Sequence, residues 1–447
     1  MGKLKETYSK EVFASGPLMG EITVPGDKSI SHRAVMLGSI ADGVTEVSGF
    51  LPGEDTLSTL NVFRSMGVDV GRPSIDRLVI KGVGLNGLKE PPDVIDARNS
   101  GTTARLIAGL LCAQPFFSVI TGDDSLRKRP MKRVALPLRL MGAVIEGRNN
   151  GSFLPIAISG RPLKGIEYTT PVPSAQVKSA ILLAGLYADG ETAVIEPQVS
   201  RDHTERMLKL FGADVKTKGT NVMIKKARAL RAVDIKVPGD ISSAAFFMVA
   251  ASCVEGSDLL IKGVGVNPTR CGIIEILKRM GADITVSEVT HPADGYPGAV
   301  EPVADIRIRA SRLKGIAIGE TELLPAIDEF PIICVAAAMA VGRTVITGAG
   351  ELRVKESDRI NVVAGSLSSL GVEVLERPDG MEIEGKGANS LFKRTVVNSH
   401  GDHRIAMSMA VAGLCSEGIT IEDSSAVDVS FPKFFEFLEG LSRVKGT

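Results

Sequence analysis

The chain has 447 residues, 44% of them hydrophobic, with 52 Lys+Arg against 52 Asp+Glu. Its length calls for two domains or more with large cores, and its zero net charge removes the global field that would draw it to nucleic acid or a membrane surface. Aromatic residues make up only 4% and Trp is absent, which argues against a base-stacking surface.

In chain order, residues 1–13 carry no apolar leader pattern. The next landmark is the run Val24-Pro-Gly-Asp-Lys-Ser-Ile-Ser-His-Arg33. Pro25 and Gly26 should break a strand over Glu21 to Val24, and Asp27, Ser29 or Ser31 should cap a helix. That helix is expected to run through Ile40 and to end near Gly43. Lys28 and Arg33 then lie at the positive end of its dipole, where two cations repel unless an anion joins them. This conflict predicts a phosphate or carboxylate site. A surface turn with solvated charges explains the fragment equally well when it is taken alone.

The longest charge-free stretch, Leu106 to Gly122, is interrupted by Gln114 and Pro115 and makes a poor membrane span. The five cysteines (Cys112, Cys253, Cys271, Cys334 and Cys415) are scattered and odd in number. A reduced, cytoplasmic protein is expected. No Cys/His group has metal-ligand spacing, so neither a metal nor a cofactor is expected.

The Val-Pro-Gly-Asp of residues 24–27 returns at residues 237–240, each time before an apolar, small-residue helix. Four more segments share this plan, beginning near Asn99, Ser174, Asp328 and Asp402. A second marker is a helix-ending glycine that leads into a strand: Gly67, Gly142, Gly212, Gly281, Gly371 and, more weakly, Gly440. The interval of 90 residues between Gly281 and Gly371 exceeds the others, which are 69 to 75. It therefore holds an insertion, read as a β-turn excursion around His291 to Gly298. The chain reads as six α/β units in two sets of three, hence as two similar domains.

Charged and polar residues gather at the starts of these helices and in the loops that follow. Unit one has Lys28, Ser29 and Arg33. Unit two has Asn99, Gly101, Thr102 and Arg105, then Arg127-Lys128-Arg129-Pro130. Unit three has Ser174 and Gln176, then Arg201-Asp202-His203. Unit five has Asp328 and Glu329, then Arg353-Val-Lys355-Glu356-Ser-Asp358-Arg359. Unit six has Asp402, His403 and Arg404. Unit four, Ile241-Ser-Ser-Ala, carries almost nothing charged. Blander readings exist for each. Arg127 to Arg133 could be a solvated loop, Arg353 to Arg359 a salt-bridged helix face, His32 and His203 core or capping histidines, and Asp328 and Glu329 helix caps. Arg129 precedes Pro130 and should be held extended. Together the helix starts suit a cationic site for small polyanions inside a neutral protein.

Eight ordered motifs carry a resemblance that spans nearly the whole chain: PGDKSISHR (25–33), NSGTTAR (99–105), KRPM (128–131), PSAQVKSA (173–180), SRDHTE (200–205), IDEFP (327–331), RVKESDR (353–359) and GDHRIAM (401–407). The chain resembles the 5-enolpyruvylshikimate-3-phosphate synthases, and RVKESDR with SAQVKSA resembles their second class. The resemblance implies a two-domain inside-out α/β barrel of six βαβαββ repeats, three per domain. One domain would be 24–239 and the other 1–23 with 240–447, with the active site in the cleft between them. It also implies crossings of the chain near both Val-Pro-Gly-Asp copies, so that the N-terminal strand belongs with the C-terminal half.

The implied reaction adds the 5-hydroxyl of shikimate 3-phosphate to C2 of phosphoenolpyruvate while C3 takes a proton, then expels phosphate. It needs a base, an acid, and cations for two phosphates and a carboxylate. By the resemblance, Lys28, Ser29, Arg33, Ser174, Ala175, Gln176, Arg201, Asp328 and Lys355 bind shikimate 3-phosphate. Lys28, Gly101, Arg129, Gln176, Arg359 and Arg404 hold phosphoenolpyruvate. Asp328 accepts the hydroxyl proton and Glu356 carries the C3 proton, with Lys28 assisting. No nucleic acid or membrane partner is implied. A monomer is expected because no exposed heptad or apolar strip stands out.

Two departures stand out. A Lys found in the first class shortly before a C-terminal Thr-Phe-Pro is absent from Asp428-Val-Ser-Phe-Pro432. Some relatives that tolerate glyphosate, an inhibitor of this family, have Ala where this chain has Gly101. The closest rival transfers enolpyruvate to UDP-N-acetylglucosamine. It carries Asn after the first Lys and usually a reactive Cys in the loop of unit two. Here Ser29 follows Lys28, and Asp123 to Met131 has no Cys. An RNA 3′-phosphate cyclase and a non-enzymatic repeat scaffold are the remaining alternatives. Charge and composition disfavour the cyclase, and a scaffold would leave Lys28, Asp328, Glu356 and Arg404 without a shared purpose.

Overall fold

A computed structural model describes residues 8–288, 301–387 and 391–442. The insertion expected around His291 to Gly298 lies outside the described residues. The chain divides into two compact units. One contains the chain up to Pro25, the stretch from Gly239 and the stretch from Pro302 onward; the other is Gly26–Pro238, which Glu301 joins. The passages between units therefore fall at Pro25–Gly26 and Pro238–Gly239, where sequence reasoning set 23/24 and 239/240.

Both passages lie in the Val-Pro-Gly-Asp copies, which pair reciprocally. Asp27 N–H donates to the Pro238 carbonyl at 2.8 Å, and Asp240 N–H to the Pro25 carbonyl at 2.9 Å. Gly26 is required by a separate close approach, since a Cβ there would lie 1.8 Å from the Gly49 carbonyl oxygen.

Each unit is built around three apolar helices. In the first unit in the chain these are α1 (Lys28–Ser39), α2 (Gly101–Leu111) and α3 (Ala175–Gly185). In the other they are α4 (Ile241–Cys253), α5 (Phe330–Met339) and α6 (His403–Gly413). Every residue of α4 and α5 is buried, as suits helices that are apolar all round. Pro331 is tolerated because it sits in the first turn of α5, where no N–H bond is lost. The second helix of each repeat is amphipathic instead. In Gly272–Arg279, Ile273, Ile274, Ile276 and Leu277 are buried, while Glu275, Lys278 and Arg279 face solvent. Each unit has its own hydrophobic core.

Among the described residues six sheets accompany the helices, five of four strands and one of three. In the four-stranded sheets one parallel pair leads into two antiparallel pairs. Ile95–Asp96 pairs parallel with Phe117–Thr121, which pairs antiparallel with Ile156–Ser159, which in turn pairs with Val144–Gly147. The passages exchange the first strands of repeats one and four. Met19–Ile22 precedes α1 but pairs parallel with Asp258–Gly265 of repeat four, and Ile235–Lys236 precedes α4 but pairs parallel with Asp42–Ser48 of repeat one. The sixth sheet holds Thr395–Asn398 and Ile419–Glu422, and Lys10–Val12 from the N-terminal segment pairs antiparallel with the latter.

Several local expectations are corrected. Helix α1 ends at Ser39, and Gly43 belongs to the following strand, Asp42–Ser48, at φ +111°. Asp27 is the cap of α1, accepting from Ile30 N at 2.8 Å, whereas Ser29 and Ser31 lie inside the helix. Gly67, Gly142, Gly212, Gly281 and Gly371 all take positive φ after helices. Gly440 lies within the helix Phe434–Ser442 and ends nothing, so the sixth repeat has no glycine cap at that position.

Candidate active site

In the unit that holds α1–α3, polar groups gather at the helix starts. Arg33 is buried, and its guanidinium spans three elements. Nε donates to Thr204 Oγ1 at 2.6 Å, Nη2 to Ser179 Oγ at 3.0 Å, and Nη1 to the Ser29 carbonyl at 2.9 Å. Burial pulls its pKa down to about 10, with Glu205 and Asp27 opposing and Arg201 adding to the fall. Lys28, on the same helix, pairs with Asp55. His32 is fully buried and held neutral, first by desolvation and then by Lys28 and Arg33. Its Nδ1 lies 2.7 Å from Thr59 Oγ1, which lies 2.6 Å from Thr103 Oγ1. His32 is therefore a core histidine.

Ser100 caps α2 through Thr103 N, leaving Gly101 at the helix start. A Cβ at Gly101 would lie 3.0 Å from Arg105 Nη1 and 3.6 Å from Arg129 Nη1. Arg129 has the extended backbone expected before Pro130, at φ −79° and ψ 143°. Its Nη2 reaches Asn99 Oδ1 at 2.5 Å and Ser125 Oγ at 3.2 Å. Arg105 Nη1 donates to Gln176 Oε1 at 2.5 Å, and Gln176 Nε2 to Thr102 Oγ1 at 3.2 Å, so the starts of α2 and α3 are tied together. Ser174 caps α3, and Ala175 follows it.

Beneath these groups lies a buried triad that sequence reasoning missed. Lys178 Nζ stands 2.7 Å from Glu196 Oε2 and 2.7 Å from Glu205 Oε1, with all three side chains at most 4% exposed. Burial disfavours the ammonium, but Glu205 and Glu196 outweigh it and raise the Lys178 pKa. For Glu205 burial wins over Lys178, and its pKa rises. Glu196 also accepts from Ser174 N at 3.0 Å and from Ser200 Oγ at 2.7 Å, which fixes both neighbours of the expected ligand arms.

In the other unit, charged groups converge on Asp328. Arg359 Nη1 is 3.6 Å from its Oδ1, Arg404 Nη2 3.6 Å from Oδ2, and Arg270 Nη1 3.9 Å from Oδ2. Arg404 Nη1 also donates to the Asp328 carbonyl at 2.9 Å. Arg359 is 1% exposed. It donates to Asp402 Oδ2 at 2.8 Å and to Glu356 Oε2 at 2.6 Å. Burial works against its charge, but Asp402, Glu356 and Asp328 prevail and raise its pKa further. Lys355 moves the other way, since burial lowers its pKa against the pull of Asp328.

These contacts decide between the earlier alternatives. Glu329 stands at the cap position of α5 without a side-chain cap bond and is instead bound by Ser242 Oγ. Asp358 is structural, capping the helix Arg359–Ser369 and pairing with Arg353 at 2.8 Å. The helix start of repeat four, Ile241-Ser-Ser-Ala, carries no charge, and the cation of this repeat, Arg270, comes instead from the loop after its strand. That slot corresponds to the loops carrying Arg129 and Arg201, a signal the sequence did contain.

No expected site residue is exposed. Lys28, Ser29, Arg33, Gly101, Arg129, Ser174, Ala175, Gln176 and Arg201 fall in one unit, and Asp328, Lys355, Glu356, Arg359 and Arg404 in the other. Among the described residues, no group of three or more His, Cys, Asp and Glu is placed to hold a metal ion, and no helix is long and apolar enough to cross a membrane.

Residues 12–438 match the family described as EPSP synthase (3-phosphoshikimate 1-carboxyvinyltransferase). The chain belongs to this family. A 3-phosphoshikimate 1-carboxyvinyltransferase of Geotalea daltonii is 57% identical, over 95% of this chain and 96% of the relative. One from Bacillus cereus is 54% identical over 95% and 97%. The solved EPSP synthase of Acinetobacter baumannii is 50% identical, with a TM-score of 0.86 and 98% of each chain covered. The enolpyruvyl transferase NikO of Streptomyces tendae, 16% identical, shares the fold at a TM-score of 0.77 over 96% of each chain. The chain has the two-domain inside-out α/β fold of these transferases.

Proposed function

We propose that both polar clusters serve one reaction, transfer of the enolpyruvyl group of phosphoenolpyruvate to the 5-hydroxyl of shikimate 3-phosphate with release of phosphate. The chain is an enzyme of the shikimate pathway, which leads to chorismate and the aromatic amino acids. The observation that carries the residue assignment is the Asp328 carboxylate standing within 4 Å of three guanidinium groups. Such surroundings favour an ionised carboxylate, as a proton acceptor must be.

In this reading Lys28, Ser29, Arg33, Ser174, Ala175, Gln176, Arg201, Asp328 and Lys355 hold shikimate 3-phosphate. Lys28, Gly101, Arg129, Gln176, Arg359 and Arg404 hold phosphoenolpyruvate. Asp328 takes the 5-hydroxyl proton as that oxygen bonds to C2. C3 receives a proton from Glu356, with Lys28 assisting. The tetrahedral adduct then returns a proton from C3 and loses phosphate, restoring the double bond. The cations offset charge on phosphate and carboxylate throughout. Ser29 after Lys28, the absence of Cys from the Asp123 to Met131 loop and the deep burial of Cys112, which pushes its thiol up to about 12, speak against the UDP-N-acetylglucosamine reaction. The RVKESDR and SAQVKSA motifs and the missing C-terminal Lys support the second class. We also assign a monomer in the cytoplasm, which light scattering and cell fractionation would check.

The test is phosphate release from purified protein given both substrates, without added metal. Release that requires both, and falls by more than about 100-fold in Asp328→Ala, is expected. Release with UDP-N-acetylglucosamine as the acceptor instead would overturn the assignment.

A further inference from the structure

We propose that Arg270 is a positioning residue for Asp328 and that, balanced by Glu329, it sets the pH at which this carboxylate becomes competent as a base. The inference rests on Asp328 being the base, as proposed above.

Arg270 is placed by a tight turn. Asn267, itself buried, accepts Thr269 N on Oδ1 at 2.9 Å, and its carbonyl accepts Arg270 N at 2.8 Å and Cys271 N at 3.0 Å. The arginine is 3% exposed. Its Nη2 donates to Ser242 Oγ at 2.7 Å and lies 3.5 Å from Asp240 Oδ1. Its Nη1 stands between the two carboxylates, 3.8 Å from Glu329 Oε1 and 3.9 Å from Asp328 Oδ2. Ser242 in turn donates to Glu329, and Arg404 approaches both, 3.4 Å from Ser242 Oγ and 3.6 Å from Glu329 Oε1. One guanidinium therefore holds a buried countercharge on one side and the reactive carboxylate on the other.

The other charges facing Asp328 differ in kind. Arg359 and Arg404 are the proposed phosphoenolpyruvate ligands, so their charge is shared with substrate when it binds. Lys355 has its ammonium form disfavoured by burial. Glu356 and Asp402 are committed to Arg359. Arg270, anchored on Ser242, Asp240 and Glu329, has no proposed substrate role and remains a fixed cation beside Asp328 through the cycle.

Opposite charge within 4–6 Å lowers a carboxyl pKa by about 1–3 units, and like charge raises it. Two guanidinium groups remain beside Asp328 without Arg270, so the lower end applies. Arg270→Met should move the acid limb of kcat/KM up by about one pH unit. Glu329→Gln should move it down by about half a unit. The double variant should lie about half a unit above the parent, and Arg270→Lys, which keeps the charge, should leave the limb in place.

The measurement is the pH profile of phosphate release for the parent enzyme, these variants and Asp328→Asn. Opposite shifts in the two single variants, partly offsetting in the double, establish the proposal. A role in packing alone would lower kcat and leave the limb unmoved. Should Arg270→Met fold poorly, the downward shift in Glu329→Gln still gives a sign, with Arg270→Lys as the unmoved control. An unmoved limb, or shifts of one sign, overturns the role of Arg270 while Asp328→Asn remains inactive. An active Asp328→Asn enzyme with its acid limb intact overturns the base assignment itself, and the present proposal with it.

Discussion

The Lys178 triad offers the sharpest test of what holds the first cluster in shape. Replacing Lys178 by Met keeps most of the side-chain volume and removes one charge. Two contacts at 2.7 Å amount to about 6 kcal/mol each at an effective dielectric of 20, and most of that offsets the cost of burying the ions. What remains after the change is two buried carboxylates without their cation, a defect that costs about 3–5 kcal/mol. Urea unfolding of the variant at neutral pH should therefore show a loss of about 4 kcal/mol. Glu196 would lose its hold on Ser174 N and Ser200, so the KM for shikimate 3-phosphate should rise as well.

The pH dependence makes this argument refutable. Burial already raises the folded-state pKa of Glu205, and without Lys178, which opposes that rise, it lies further above the unfolded carboxyl value of about 4.3. The folded variant then binds more protons than its unfolded chain at mildly acid pH, so it regains stability as pH falls. The gap to the parent should narrow between neutral pH and about pH 5.5. Adding Glu205→Gln should recover part of the loss at neutral pH. A loss below about 1 kcal/mol, or one that does not vary with pH, would show that the triad carries no net burden of buried charge.

Two further outcomes are expected. Gly101→Ala places a methyl 3.0 Å from Arg105 Nη1 and 3.6 Å from Arg129 Nη1, both at the ends of adaptable side chains, so the variant should fold normally. Crowding worth about 1 kcal/mol should raise the KM for phosphoenolpyruvate about fivefold and the Ki for the longer inhibitor glyphosate by more; equal changes in both would refute this. His32 has a folded pKa below its ordinary 6.5, so the unfolded chain binds the extra proton and stability falls as pH drops through that value. The penalty is about 1.4 kcal/mol at pH 5.5. In His32→Asn, which can still bond to Thr59, the difference in unfolding free energy between neutral pH and pH 5.5, read from urea titrations, should shrink by about that amount.

What could be read from the sequence was local. Helix-ending glycines and apolar small-residue helices recur once per repeat, and five of the six glycine signals found their helix ends. Gly440 failed because it lies inside the helix Phe434–Ser442; Lys10–Val12 supplies the antiparallel partner of that last sheet from more than 400 residues away. The same distinction runs through the site. Asp27, Ser100, Ser174 and Asp402 cap helices, a pattern set within three residues, and the candidate ligands beside them follow directly. Asp55, Thr204, Glu196, Glu205 and Arg270 gain their meaning from partners on other elements, which no local pattern specifies. Arg270 was the most accessible of these, because its loop matches those of Arg129 and Arg201 in the repeat.

The segment from Arg353 to Arg359 shows how one short loop assigns different electrical tasks to similar residues. Arg353 turns outward, pairing with Asp358 and Glu376, and fixes the loop against the strand that holds Glu376. Arg359, first in the helix that Asp358 caps, points inward to Asp402, Glu356 and Asp328, and three carboxylates keep its charge permanent. Lys355 lies between them, where burial outweighs its attraction to Asp328 and Arg359 repels it. A guanidinium with fixed charge suits a constant ligand for carboxylate or phosphate. An ammonium whose charge is disfavoured until an anion arrives gains more from that anion than a fully paired cation would. Binding of a phosphorylated substrate beside Lys355 would thus stabilise a charge that burial disfavours, and the same loop leaves Arg359 paired with Glu356, the group we propose exchanges a proton with C3.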